Sequence, residues 1–143
     1  MEESLKLSNQ LCFPLYVCSK EIVRKYKPFL DEFDLTYTQY IVLLSLWEKD
    51  NMTVKEIGEK VYLDSGTLTP LLNKLMKKKL INKKKGKDGR ETYISLAEEG
   101  HNLEKKIVTV PQGMAKCVHL SQEEVVVLYK TLYKIINEVT KDE

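Results

Sequence analysis

The side chains able to do covalent chemistry are few. They are three cysteines, Cys12, Cys18 and Cys117, and two histidines, His101 and His119. A thiol reacts as its thiolate, so each cysteine is a candidate for oxidation or disulfide exchange. No Cys-x-x-Cys and no His/Cys cluster has metal-ligand spacing, and neither a phosphate-binding loop, a Gly-x-Gly-x-x-Gly nor a Gly-x-Ser-x-Gly is present. Neither a metal nor a cofactor is therefore expected. An odd number of cysteines reads as free thiols, not as a disulfide framework. Cys12 and Cys18 lie six apart, about 9 Å of rise on one helix and on different faces, beyond disulfide reach. Cys18 reads as a packing residue. On residue type alone Cys12 also reads as a buried structural cysteine, since free Cys is among the most buried residues.

The second chemistry is electrostatic. The whole chain carries only +2, but Lys74, Lys77, Lys78, Lys79, Lys83, Lys84, Lys85, Lys87 and Arg90 face a single acid, Asp88, in the same stretch. That window is +8 and the rest of the chain −6. A charge run is often no more than a solvated face. The asymmetry is also what a nucleic acid needs, because cations that neutralise phosphates release counterions and supply most non-specific affinity.

The elements that must position these groups follow from periodicity. The chain has 143 residues, of which 43% are hydrophobic and 31% charged, so one domain with a real core is expected. The longest apolar run, Tyr40–Trp47, is too short to span a membrane, and the acidic, polar start MEESLKLSNQ has no signal-peptide pattern. A cytoplasmic protein with no membrane partner is expected. Apolar spacing predicts an amphipathic helix from about Leu5 to Phe33. Pro14 either kinks it or lies in its first turn, which would put Cys12 at a helix N-terminus. Helices are predicted over Thr36–Glu48 and Thr53–Lys60, the latter capped by Thr53 with Glu56. A polar turn, Leu63–Gly66, leads to a helix over Thr67–Lys79 with its N-cap near Ser65 or Gly66, so that Pro70 falls where N–H groups lack partners. Leu80–Lys85 and Glu91–Leu96 read as a hairpin with a basic tip. A further helix starts at Ala97 and is interrupted at Pro111-Gln112-Gly113. Ser121, with Glu124, caps a last helix carrying the stripe Val125, Leu128, Leu132, Ile135 and Val139.

Two short helices, a tight turn and a basic hairpin give a winged helix-turn-helix, mainly α with a small β-hairpin wing. Residues 36–98 would form this DNA-binding region, and 1–35 and 99–143 the dimerisation helices of a single domain, 1–143. The second helix would enter the major groove of double-stranded DNA, offering Ser65, Thr67, Thr69, Pro70, Asn73 and Lys74, with Lys87, Asp88 and Arg90 at the wing. The terminal helices cannot bury their stripes on so small a core, which predicts a two-fold homodimer and a roughly palindromic operator.

Leu63-Asp64-Ser65-Gly66-Thr67-Leu68-Thr69-Pro70-Leu71-Leu72, Asp88-x-Arg90 and Ser95-Leu96-x-x-x-Gly100 resemble the MarR family of winged-helix repressors. Gln10-Leu11-Cys12-Phe13 with Tyr16, Tyr26 and Leu35-Thr36-Tyr37-Thr38-Gln39-Tyr40 narrows the likeness to the organic hydroperoxide resistance regulator branch. The resemblance covers about Leu5 to Val139. It implies a repressor whose Cys12 is a reactive thiolate oxidised by an organic hydroperoxide or other oxidant. Tyr26 and Tyr37 would donate hydrogen bonds to it across the dimer, with Tyr16 and Tyr40 supporting. It implies that the sulfenic acid, a poorer acceptor, disturbs this network and releases the operator. In a two-cysteine subtype of the branch a second, C-terminal cysteine bridges to the other subunit's sensor, and Cys117 matches it in position.

Three other readings remain open on sequence grounds. A phenolic or aromatic effector could gate the same dimer without cysteine chemistry. A thiol peroxidase would need a Thr-x-x-Cys with a supporting Arg, which is missing. A helical adaptor leaves the basic window unexplained.

Overall fold

The computed structural model describes residues 1–141. The last two positions of the expected C-terminal dimerisation segment, 142 and 143, lie outside the described residues.

The chain does not enter its first α-helix at Leu5. Glu3–Leu5 and Leu7–Asn9 form two 3-10 turns. The amides of Asn9 and Gln10 fold back onto the carbonyls of Glu3 and Ser4 (2.7 Å each), which holds the backbone out of the α conformation. Helix α1 is Cys12–Asp31. Cys12 is thus its first residue and Pro14 its third, where a missing N–H costs nothing. The first-turn alternative for Pro14 is the one adopted.

Helix α2, Tyr37–Glu48, starts at a reciprocal cap between Thr36 and Gln39. A two-residue strand β1, Met52–Thr53, leads into α3, Val54–Val61, capped by the Thr53 hydroxyl. Tyr62 ends α3 in the left-handed conformation (φ 58°). Helix α4 is Ser65–Lys77. Its cap is Asp64, one residue before the expected Ser65 or Gly66, because the Asp64 carboxylate accepts the Thr67 N–H at 2.8 Å. That N–H holds the Asp64 carboxyl below the ordinary aspartate range, so it stays an acceptor at neutral pH. Pro70 consequently sits in the second turn of α4, and the Gly66 carbonyl loses its intrahelical donor on an exposed face.

The hairpin strands are β2, Ile81–Lys85, and β3, Thr92–Leu96. They pair antiparallel with Lys83 opposite Ile94, and β1 adds to the other edge of β3 with Met52 opposite Ile94. Helices α5, Glu98–Lys106, α6, Thr109–Ala115, and α7, Gln122–Val139, complete the chain. The expected interruption at Pro111–Gly113 is absent. Pro111 is the third residue of α6, and Gly113 lets α6 close on α1, for a Cβ there would lie 2.3 Å from the Phe29 ring. The Ser121–Glu124 cap of α7 forms as expected.

The core joins α2, α3, α4 and the sheet through Val42, Leu43, Leu46, Ile57, Leu68, Leu75 and Ile94, with Leu30 and Val110 extending it under α1 and α6. Its tightest approach is at Gly100, where a Cβ would stand 2.2 Å from the Leu80 carbonyl oxygen. That carbonyl also accepts the Ala97 N–H, so backbone would have to move. Gly100→Ala is expected to destabilise the fold by about 1–3 kcal/mol, read as a lower midpoint in urea. An unchanged midpoint would show that α5 packs more loosely on the hairpin.

Two apolar faces find no cover among the described residues. Along α1, Phe13, Leu15, Tyr16, Ile22 and Val23 are exposed, and α7 buries none of its residues although Val125, Leu128 and Val139 are apolar. Among the described residues, no helix is long and apolar enough to cross a membrane.

Candidate nucleic-acid interface and thiol site

Helices α3 and α4 with the β2–β3 hairpin bring the expected DNA-contacting residues to one surface. Leu68, Leu71, Leu72 and Leu75 anchor α4 in the core. The helical period therefore turns Ser65, Thr67, Thr69, Pro70, Asn73 and Lys74 to solvent, and all six are exposed. Lys87, Asp88 and Arg90 are exposed at the hairpin tip, where the Asp88 carboxylate accepts the Arg90 N–H at 3.0 Å and shapes the turn. A cleft of about 380 Å³ joins helix and hairpin, with Thr69 and Asn73 on one side and Arg90 and Lys83 on the other. Lys55 of α3 also lines it. Lys55 lies outside the basic window, and its place follows only from the packing of α3 on α4. Within the window, Lys78 points back to the α1–α2 corner.

The expected thiol residues divide into two groups. Tyr26 of α1 and Tyr37 and Tyr40 of α2 form one aromatic cluster, with ring centroids 4.8 Å apart for Tyr26–Tyr37, 5.9 Å for Tyr26–Tyr40 and 6.3 Å for Tyr37–Tyr40. Burial raises the phenol of each above the ordinary tyrosine value. Tyr37 adds to this for Tyr26, and both neighbours add to it for Tyr40. All three remain neutral O–H donors at physiological pH. Cys12 and Tyr16 are elsewhere. Cys12 and Tyr26 are 14 residues apart on one continuous helix, about 21 Å by the helical rise. No tyrosine of the cluster can touch the sulfur of its own chain. Cys12 is exposed, as are Cys18 and Cys117, so the expectation that Cys12 and Cys18 are packed within the chain fails for the isolated subunit.

Cys117 follows α6, its Sγ 3.5 Å from the Gly113 carbonyl. Gly113 rests on Phe29, one helical turn beyond Tyr26. Cys117 therefore stands at the tyrosine end of α1, away from its own Cys12.

Residues 24–107 match the family model described as Transcriptional regulator SarA/Rot. The organic hydroperoxide resistance transcriptional regulator of Bacillus subtilis is 44% identical over 135 residues, covering 94% of this chain and 92% of that protein. The chain belongs to the MarR family of winged-helix regulators, in its organic hydroperoxide resistance branch. Two solved MarR-type structures extend the match. Reduced AbfR bound to DNA superposes with a TM-score of 0.80 at 29% identity, covering 96% of each chain. Disulfide-formed AbfR superposes with a TM-score of 0.68 at 32% identity, covering 94% of this chain and 95% of that one. The mainly helical fold with its small antiparallel sheet is that of the MarR-type winged helix.

Proposed function

We propose that this protein is a dimeric, DNA-binding transcriptional repressor that leaves its operator when Cys12 is oxidised by an organic hydroperoxide. The observation that carries the sensor is the separation on α1. Tyr26, Tyr37 and Tyr40 are clustered and held as neutral donors, yet lie about 21 Å from the Cys12 of their own chain. A second copy, its α1 running antiparallel, supplies Cys12 of the partner subunit to each cluster. The exposed face of α1 and the uncovered stripe of α7 are the surfaces it buries. The domain division follows: 36–98 reads DNA, while 1–35 and 99–143 build the dimer.

Phenol donors stabilise the thiolate, which is the nucleophile. Its sulfur attacks the terminal peroxide oxygen, the O–O bond breaks, and the alcohol leaves after taking up a proton. Cys12 is left as the sulfenic acid, oxidised by two electrons. Tyr16, one turn from Cys12, and Phe13 and Leu15 beside it favour an organic peroxide over hydrogen peroxide. The Cys117 thiol of the other subunit, at the tyrosine end of its own α1, then attacks that sulfenic acid, forming the disulfide and releasing water. These regulators are not enzymes, so each site reacts once per reduction.

Binding of a palindromic operator is the test. One equivalent of an organic hydroperoxide is expected to weaken wild-type binding by about tenfold or more and to leave Cys12→Ser unchanged. If both variants hold DNA equally after peroxide while a phenolic compound releases them, the thiol reading is wrong.

A further inference from the structure

A lysine of the basic window that ends α4, Lys78, is bonded back to the α1–α2 corner and not turned to the DNA-facing cleft. The Lys78 side chain is 28% exposed, and its ammonium donates to the backbone carbonyl of Asp34 and to Gln39 Oε1 at 3.1 Å, with the Asp34 carboxylate at 3.6 Å. Gln39 is itself buried at 3% exposure, and the same Oε1 accepts the Thr36 N–H at 3.1 Å. One amide oxygen therefore closes the cap of α2 and holds the end of the recognition helix. Gln39 sits in the first turn of α2 between Tyr37 and Tyr40, the two α2 members of the tyrosine cluster. Lys78 itself lines an open surface cleft of about 380 Å³, with Phe33, Asp34, Leu80, Glu99 and Leu103.

We propose that Lys78 is a positioning residue that ties α4 to the sensor-bearing turn of α2, so that displacement of Tyr37 and Tyr40 moves the recognition helix. This rests on the sensor reading above. An ammonium shared between a buried amide oxygen and a helix-corner carbonyl bridges the two elements by charge-assisted hydrogen bonds, which are directional where apolar contact is not. A lysine placed here only for its charge would lie in solvent, as Lys77 does.

The experiment measures operator affinity of the full-length protein, reduced and after one equivalent of cumene hydroperoxide, with Cys12 sulfenic acid quantified by mass spectrometry in each sample. Wild type, Lys78→Met and Lys77→Met are compared. Lys78→Met is expected to form the sulfenic acid normally and to bind DNA within about threefold as tightly in both states, the oxidative coupling lost. Lys77→Met, which removes the same charge, keeps the wild-type ratio of affinities. Lys78→Gln, whose shorter, uncharged side chain stays polar but does not reach both acceptors, replaces Lys78→Met should that variant melt early; the same loss is expected. If Lys78→Met and Lys77→Met lose equal affinity in both states and keep the wild-type ratio, Lys78 is only a cation and the proposal fails. A wild type that ignores peroxide overturns the sensor reading along with it.

Discussion

Placing two charges in the α7 stripe, as Val125→Glu with Leu128→Glu, is expected to split the dimer and to reduce operator affinity by about a hundredfold or more. None of α7 is buried within its own chain, and Val125, Leu128 and Val139 are exposed. A carboxylate there meets water in the monomer and a desolvated apolar face in the dimer, so the penalty falls on association and not on folding. Each subunit presents one recognition helix. A dimer makes the second half-site encounter intramolecular, and a monomer loses that advantage. Sedimentation should report a single chain of 16.6 kDa with an unchanged far-ultraviolet spectrum. A stable dimer retaining full affinity would show that α7 is not the interface.

The second large effect is expected at the DNA surface. Arg90→Ala should weaken operator binding by roughly ten- to a hundredfold, and Lys74→Ala should weaken it on every sequence while lowering the slope of log K against log salt by about one. The two residues lie on different elements, the hairpin tip and the outer face of α4, so the losses should multiply. Titrations at several salt concentrations separate them. A salt slope unaltered by Lys74→Ala would mean that α4 docks with another face towards the groove.

Much of this was readable in the chain because it is local. The four leucines of α4 repeat at the helical period and turn its polar residues outward. Thr53 and Ser121 cap helices by short-range geometry that composition announces, whereas Thr36, expected as the first residue of α2, is its cap. Asp64 displaced Ser65 as the cap through one hydrogen bond, since a carboxylate accepts better than a hydroxyl. The 3-10 turns before α1 depend on side-chain amides competing with helix, which periodicity does not register. Strand β1 is two residues long and exists only because β3 is beside it. Pro111 and Gly113 were misread as a break because their value lies in the first turn of α6 and in contact with Phe29. Lys78 looked like eight other cations until the α1–α2 corner came within reach of it. The sensor itself was legible as residue types on a family pattern. Its geometry was not, for the proposed sensor draws on two chains.

The trans arrangement of that sensor is tested most directly by mixing subunits. Pair a Cys12→Ser subunit with a Tyr26→Phe, Tyr37→Phe subunit in one heterodimer. Here the one remaining Cys12 belongs to the tyrosine-deficient chain and meets the intact tyrosines of the other. The converse heterodimer joins a wild-type subunit to one carrying all three substitutions, so its only Cys12 meets a cluster without the Tyr26 and Tyr37 donors. Sulfenic acid formation with limiting hydroperoxide, timed by mass spectrometry, is expected at a near wild-type rate per thiol in the first and roughly ten- to a hundredfold slower in the second. Equal rates, or the reverse order, would contradict a sensor assembled across the dimer.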